Sequence, residues 1–399
     1  MKKIKVEQLR VGMYVEEICI PWLESPFWTR TVMVDSADKL AKILATSATE
    51  VVIDPRRGSD IAAEPVAPVA VEEAPAAPAP FQFPAVTPTS TAAEMQHAEL
   101  LLAQSKDAVN SMFHEARMGK AIDAEQVQQL VDDIAVSVMR NPDAMVGLAR
   151  LKNADDYTYM HSVAVCALMI ALARELKLPD GQVRELGMAG LMHDVGKMLV
   201  PQDILLKPGG LTTEEFDAIK HHPVAGHQLL QASAVSEVVL DVCLHHHEKV
   251  NGTGYPAGLK GDQITLAAKM GAICDVYDAI TSDRPYKTGW CPAASLSKMT
   301  EWCDGHFDPV VFAAFVKCMG IYPIGTVVRL QSGRLAVIVD RGVGKSLLTP
   351  SVRVFFDTAS KSLMKPELLD LSAAGVKERI VGREDATRWG ITDTSQYWT

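Results

Sequence analysis

Long apolar runs are missing from this chain. No segment approaches the about 18 uninterrupted apolar residues of a spanning helix, and the opening MKKIKVEQLRVGMYV carries lysines without a signal-peptide core. These absences predict no membrane span and a cytoplasmic location. Cysteine is sparse, at seven (Cys19, Cys166, Cys243, Cys274, Cys291, Cys303, Cys318), an odd number, widely spaced and without a CxxC pair. That argues against a disulfide framework and a clustered-thiolate zinc finger, and predicts reduced thiols, mostly in the core. Positive charge is in deficit: 39 Lys+Arg against 49 Asp+Glu give a net charge of -10. Such a surface repels a phosphate backbone and argues against long nucleic acid. A small phosphate ligand stays compatible, because a few local cations or metal ions reverse the potential inside one pocket.

The chain has 399 residues, which predicts more than one domain at about 100–200 residues each. Residues 1–61 mix apolar alternation (RTVMVD, TEVVIDP) with one helical pattern, SADKLAKILA, in which Ser36 can cap and Leu40, Ile43 and Leu44 share a face. A small α+β module is expected there. Residues 62–93 turn Ala/Pro-rich, and recurrent proline prevents helix and ladder alike, so a semi-extended, disordered linker is expected. Helical periodicity marks a lead-in over 94–149, where Val127, Leu130, Val131, Ile134 and Val138 fall on one face and Pro142 ends a helix. From 150 to 322 nearly every segment reads helical, including TTEEFDAIKHH with a capping box of Thr212 and Glu215. The remainder, 323–399, reads as a β-rich tail in which TVVRL and LAVIVD form a hairpin and SVRVFF a third strand. The expected fold is therefore multidomain: an all-α core, a small α+β N-terminal domain and a short β-rich C-terminal tail.

Two phosphate-loop imitations are set aside. GVGKS, Gly342 to Ser346, lacks the first glycine of a P-loop because Val339 holds that place, and it reads as a polar hairpin loop. GTGYPA follows no strand, and Pro256 interrupts the helix a dinucleotide fingerprint needs.

The chemistry-bearing side chains gather between His161 and Lys287. YMHSVAV supplies His161, LMHDVGK supplies His193, Asp194 and Lys197, KHHPVAGH supplies His222, HHHE supplies His246 and His247, and AICDVYDAITSDRPYK supplies Asp275, Asp278, Arg284 and Lys287. Any one histidine alone reads as a hydrogen-bonded core residue. Burying the whole set without compensation costs several kcal/mol for each unpaired charge, so the core needs a bound cation. Mixed imidazole and carboxylate ligands suit Fe or Mn, with Zn, Mg and Ni also compatible. A carboxylate directly after a histidine, as in His193-Asp194, can bridge two ions, and two divalent ions sharing a hydroxide can drive in-line displacement at phosphorus without a serine or cysteine nucleophile.

HDVGK, HHExxNGTGYP and DVYDAITSDRPYK resemble, in order and spacing, the signatures of the HD-GYP family, bacterial HD-domain phosphohydrolases of second-messenger signalling that cleave cyclic di-GMP. The resemblance spans roughly residues 150–320, and the first 60 residues resemble the DUF3391 domain that precedes some HD-GYP modules. The resemblance implies one metal held by His161, His193, Asp194 and Asp275, and a second held by the shared Asp194 with His222, His246 and His247. It implies Lys197 beside the scissile phosphate, and Arg284 and Lys287 gripping substrate phosphates. Gly252, Gly254 and Tyr255 form the loop that names the family, with Tyr255 against a guanine. His245, His221 and His227 fall outside the motifs, and Glu248 is expected to orient a ligand imidazole.

Two positions depart from the family pattern. Tyr157 stands where some members place a glutamate for a third metal, so two are expected, and Asn251 replaces a common aspartate at a non-ligand position. The implied activity is metal-dependent hydrolysis of cyclic di-GMP to pGpG and onward to GMP, with diguanylate cyclases (GGDEF proteins) as partners. The mixed cyclic GMP-AMP dinucleotide, a non-hydrolytic receptor role and an ordinary HD nucleotidase are the alternatives. Homo-oligomerisation is left open by the sequence.

Overall fold

The computed structural model describes residues 1–20, 27, 31–60, 81–118, 120, 122–150, 157–205, 207, 209–282, 289–341, 346 and 348–398, without the side chains of 149, 150 and 157. Residues 342–345 of GVGKS, the RPYK segment with Arg284 and Lys287, the side chain of Tyr157, and most of the Ala/Pro-rich stretch lie outside the described residues. The chain divides into two compact units, Met1–Gln82 and Phe83–Thr399.

In the first unit, β1 (Lys2–Lys5), β2 (Tyr14–Ile18), β3 (Val32–Met33) and β4 (Glu50–Ile53) form an antiparallel sheet in the order β1-β4-β2-β3. Helix α1 (Ala37–Leu44) starts where expected, with Ser36 Oγ accepting from the Lys39 N–H at 3.3 Å. Ile43 joins Val15, Val51 and Ile53 in the core and Leu40 packs at its margin. Leu44 does not share that face; it is 45% exposed, because one residue along a helix turns the side chain by about 100° from Ile43. Strands β1 and β2 were not marked by apolar alternation, since KKIK and YVEEI are short and largely polar.

The second unit opens within the stretch expected as a linker. Phe83 is buried and its N–H donates to Asp180 at 2.9 Å, and α2 (Thr91–Arg117) begins before residue 94. Its capping Ser90 and the small residues that follow allow a helix once the prolines end. Helices α3 (Ala124–Arg140), α4 (Pro142–Arg150), α5 (Tyr157–Glu175) and α6 (Asp180–Met192) come next. All five residues of the expected α3 stripe are buried. Helix α5 is apolar all round, and every side chain from Tyr159 to Ala173 is buried, so it forms the axis on which the others pack.

The chain continues through α7 (Gln202–Leu205), α8 (Thr213–Lys220), α9 (His222–Gln231), α10 (Glu237–His245), α11 (Leu266–Thr281), α12 (Pro292–Trp302) and α13 (Pro309–Met319), of which α11 and α13 pack directly on α5. The capping box is present: Thr212 Oγ1 accepts from the Glu215 N–H, and Glu215 accepts from the Thr212 N–H.

The tail holds more strand than a hairpin and a third strand. Strands β5 (Val327–Leu330), β6 (Arg334–Asp340), β7 (Ser351–Asp357), β8 (Ser362–Asp370) and β9 (Ile380–Arg383) form an antiparallel sheet in the order β8-β7-β6-β5-β9. Arg341, just past β6, pairs with Asp143 of α4 and donates to the Cys318 carbonyl of α13 at 2.7 Å, tying the sheet to the helices. Among the described residues no helix is long and apolar enough to cross a membrane.

Candidate metal centre

Five helices deliver the site, mostly from their ends. His161 lies in α5, His193 and Asp194 follow α6, His222 opens α9, His246 and His247 follow α10, and Asp275 lies in α11. His161, His193, Asp194, His222 and His246 are each at most 3% exposed and Asp275 is 6% exposed. After Asp194 the chain makes a 3₁₀ turn, Val195–Leu199, pressed against the start of α9. Only glycine fits at 196, because a Cβ there would lie 1.9 Å from the His222 carbonyl oxygen. That close approach is what brings the Asp194 and His222 side chains together.

The two oxygens of Asp194 face different imidazoles. Oδ2 lies 3.1 Å from His161 Nε2 and 3.3 Å from His193 Nε2, while Oδ1 lies 3.2 Å from His222 Nε2 and 3.6 Å from His246 Nε2. Asp275 Oδ1 adds to the first group, 3.2 Å from His161 Nε2. The resulting sets, His161, His193, Asp194, Asp275 and Asp194, His222, His246, His247, each offer one ligand atom per residue, all within 4.8 Å of one another. The sequence-derived ligands are thus brought together, in two groups that share one carboxylate.

The back of each buried ring explains its orientation. Nδ1 of His193 donates to the Gly190 carbonyl at 2.8 Å, Nδ1 of His222 to Ile219 at 2.7 Å, and Nδ1 of His246 to Val242 at 3.0 Å. Those bonds put the N–H on Nδ1 and leave the Nε2 lone pairs aimed inward. His222 Nε2 and His246 Nε2 then face each other at 3.3 Å, and burial holds His246 down to about 4, a neutral ring. His193 Nε2 and Asp194 Oδ1 are buried without a hydrogen-bond partner. Converging lone pairs with no donor between them fit a cation.

Electrostatics say the same at the other end. Burial lowers the pKa of His161, but the bonds to Asp194, Asp275 and Asp278 outweigh it and raise His161 to about 10. The pocket demands positive charge at that Nε2. Asp194 and Asp275 stay well below the usual carboxylate range despite burial, Asp194 chiefly through the Lys197 ammonium and Asp275 chiefly through its bond to His161.

At the mouth, Lys197 Nζ donates to Asp194 Oδ2, and its side chain is 24% exposed. The Tyr255 ring lies 4.8 Å from that of His247, inclined by 30°. Burial, with Asp275 and Asp194, pushes the Tyr255 phenol above its ordinary value. Gly252 takes φ +81 in the same loop.

The sequence singles out Asp278 without giving it a role, and it misplaces Glu248. Asp278 Oδ2 accepts from His161 Nδ1 at 2.6 Å, so it fixes that ring as a carboxylate behind a ligating histidine does. Its spacing of three from Asp275 on a helix was the available signal. Glu248, expected behind a ligand imidazole, instead accepts from backbone N–H groups of the glycine-rich loop. His221 donates to the Asp217 carbonyl and His245 pairs with Asp241, outside both ligand groups.

Residues 1–127 match the model of a domain of unknown function, DUF3391, and residues 137–311 that of an HD domain. The chain is 52% identical to a cyclic di-GMP phosphodiesterase of Pseudomonas aeruginosa, covering 100% of this chain and 96% of that protein. It is 41% identical to a cyclic di-GMP phosphodiesterase response regulator of Xanthomonas campestris, over 35% of this chain and 37% of that one. It is also 35% identical to a 3'3'-cGAMP-specific phosphodiesterase of Vibrio cholerae, over 42% of this chain and 36% of that one. With 52% identity along its whole length, the chain belongs to the HD-GYP family of cyclic di-GMP phosphodiesterases, its HD-domain core preceded by a DUF3391 module.

Proposed function

We propose that this protein hydrolyses cyclic di-GMP to pGpG and onward to GMP at a centre for two divalent cations, Fe or Mn. The observation that carries the reading is the split of Asp194, whose two oxygens face two separate imidazole groups at 3.1–3.6 Å. In this reading His161, His193, Asp194 and Asp275 hold one cation, and Asp194, His222, His246 and His247 the other. When bound, the pair supplies Lewis acidity at phosphorus and activates water at neutral pH.

The protein's own groups do the rest. Lys197, now on Asp194, is close enough to the mouth to place its ammonium beside the scissile phosphate and neutralise the leaving oxygen. Tyr255 offers an aromatic face beside His247 on which a guanine can stack. Gly252 and Gly254 let the loop backbone approach the ligand. Arg284 and Lys287 are assigned to the substrate phosphates on chemical grounds, as a bidentate fork and a point charge. A diguanylate cyclase with a GGDEF module is the partner this reading names, since it makes the substrate.

The test is anaerobic purification, separate loading with Fe(II) and Mn(II), and chromatography of cyclic di-GMP and the mixed cyclic GMP-AMP dinucleotide beside an Asp194→Ala variant. Metal-dependent pGpG or GMP, absent in the variant, is expected. Bound metal without turnover of cyclic di-GMP would overturn the reading.

A further inference from the structure

The glycine-rich loop is gripped from beneath by a residue that touches no ligand imidazole. Glu248 is 2% exposed. Its Oε1 accepts from the N–H groups of Ala257 at 2.7 Å and Gly258 at 3.0 Å, and its Oε2 from that of Leu259 at 3.1 Å. A carboxylate is costly to bury, and three donors from one loop satisfy it. The near end of the loop is seated on the same residues. The Tyr255 N–H donates to the His247 carbonyl at 3.2 Å, and Gly254 lies so close that a Cβ would come within 2.5 Å of Glu248 Cα and 2.4 Å of the Lys249 nitrogen. On the outer side, Val250 and Asn251 donate to the carbonyls of His306 and Gly305 at 3.2 and 3.1 Å. Glu248 also directly follows His246-His247, so one short segment carries two ligand imidazoles, the buried carboxylate and the loop.

We propose that Glu248 is a positioning residue for substrate: its carboxylate holds the loop so that Tyr255 is presented to the dinucleotide beside His247, and it takes no part in holding metal. The inference rests on the reading of Tyr255 as a substrate contact. A carboxylate that served folding alone would change stability and leave the Michaelis constant in place. A positioning carboxylate changes the Michaelis constant for a substrate that reaches Tyr255 and spares one that does not.

The experiment compares Mn(II)-loaded parent, E248Q, E248D, Y255A and E248Q/Y255A on cyclic di-GMP and on bis(p-nitrophenyl) phosphate, a diester without guanine. Metal content is measured by mass spectrometry, and amide exchange over residues 248–260 is followed in parallel. Glutamine keeps one acceptor oxygen and turns an N–H donor toward another. E248Q is therefore expected to raise KM for cyclic di-GMP by about tenfold or more, one hydrogen bond to a charged group being worth at least that factor. Its metal content and its cleavage of the simple diester stay at parent levels, while the amides of Ala257, Gly258 and Leu259 exchange faster. In the Y255A background the same change adds little. E248D keeps the charge but shortens the reach to the three N–H groups and is expected to show the same pattern in milder form, which keeps the test valid if E248Q does not fold.

Loss of metal, equal slowing on both diesters, an unchanged KM despite faster exchange, or losses that multiply in the double variant would each overturn the proposal. Parent enzyme that cleaves the simple diester and no cyclic dinucleotide would sink the substrate reading, and the positioning role with it. The two failures are told apart by the parent's own turnover.

Discussion

Asp278 sits behind His161 as the backbone carbonyls of Gly190, Ile219 and Val242 sit behind the other rings, but it does so with charge. Ser282 Oγ donates to its second oxygen at 3.1 Å. Replacing Asp278 by asparagine keeps an acceptor and removes the charge that steadies the ring. Metal affinity or turnover is expected to fall by about 10–100-fold, read from metal titration and kcat of the same preparation; an unchanged affinity would mean that His161 is oriented by other contacts. At this scale the sequence was readable where a motif fixed order and spacing, as for His193-Asp194. It was not readable for Glu248, whose partners are backbone N–H groups in an irregular loop and leave no side-chain signature.

Among the elements, α2 and α3 are joined through Glu94, which is fully buried. Its carboxylate accepts from Arg140 Nε at 2.7 Å, Arg140 Nη2 at 2.9 Å, Ser137 Oγ at 2.7 Å and Thr89 Oγ1 at 3.2 Å. Burial alone would raise its pKa, and Arg140, Ser137 and Thr89 together bring it below the ordinary 4.5. A depressed carboxylate contributes stability above the unfolded pKa and loses it as pH falls through the folded value. Glu94→Ala is therefore expected to cost about 1–3 kcal/mol at pH 7, because it leaves the buried Ser137 hydroxyl and the partly exposed Arg140 guanidinium without their acceptor, and the gap from parent should narrow below about pH 4. Urea melts of both proteins at the two pH values check it. The period of α3 showed its buried face plainly because Val127, Leu130, Val131, Ile134 and Val138 repeat at helical spacing. Strand β8 gave no such signal: SLMKPELLD is an edge strand with exposed residues and Pro366, and edge strands need neither alternation nor a continuous donor row.

For the molecule as a whole, the centre and the fold support each other. Chelation is expected to abolish turnover and lower the thermal midpoint, with Mn(II) restoring both, since a ligand bound only by the native state at a hundredfold over its Kd adds about 2.7 kcal/mol. A calorimetric trace unchanged by chelator would mean that the sites contribute nothing to stability. The α-core and the two β-bearing ends were legible as composition shifts along the chain, whereas the attachment of the C-terminal sheet through Arg341 and Asp143 was not. Those residues stand far apart in sequence, and nothing local announces a partly buried long-range ion pair.

The ligand atoms come from five helices or helix ends, from His161 in α5 to Asp275 in α11. A chain still emerging from the ribosome has the first histidines early and the last carboxylate late. Until α11 has docked, the group that includes Asp275 is incomplete although the group around His222 already has all its side chains, so a paired centre would be available only to the finished core, and a half-built molecule would be denied two-cation chemistry.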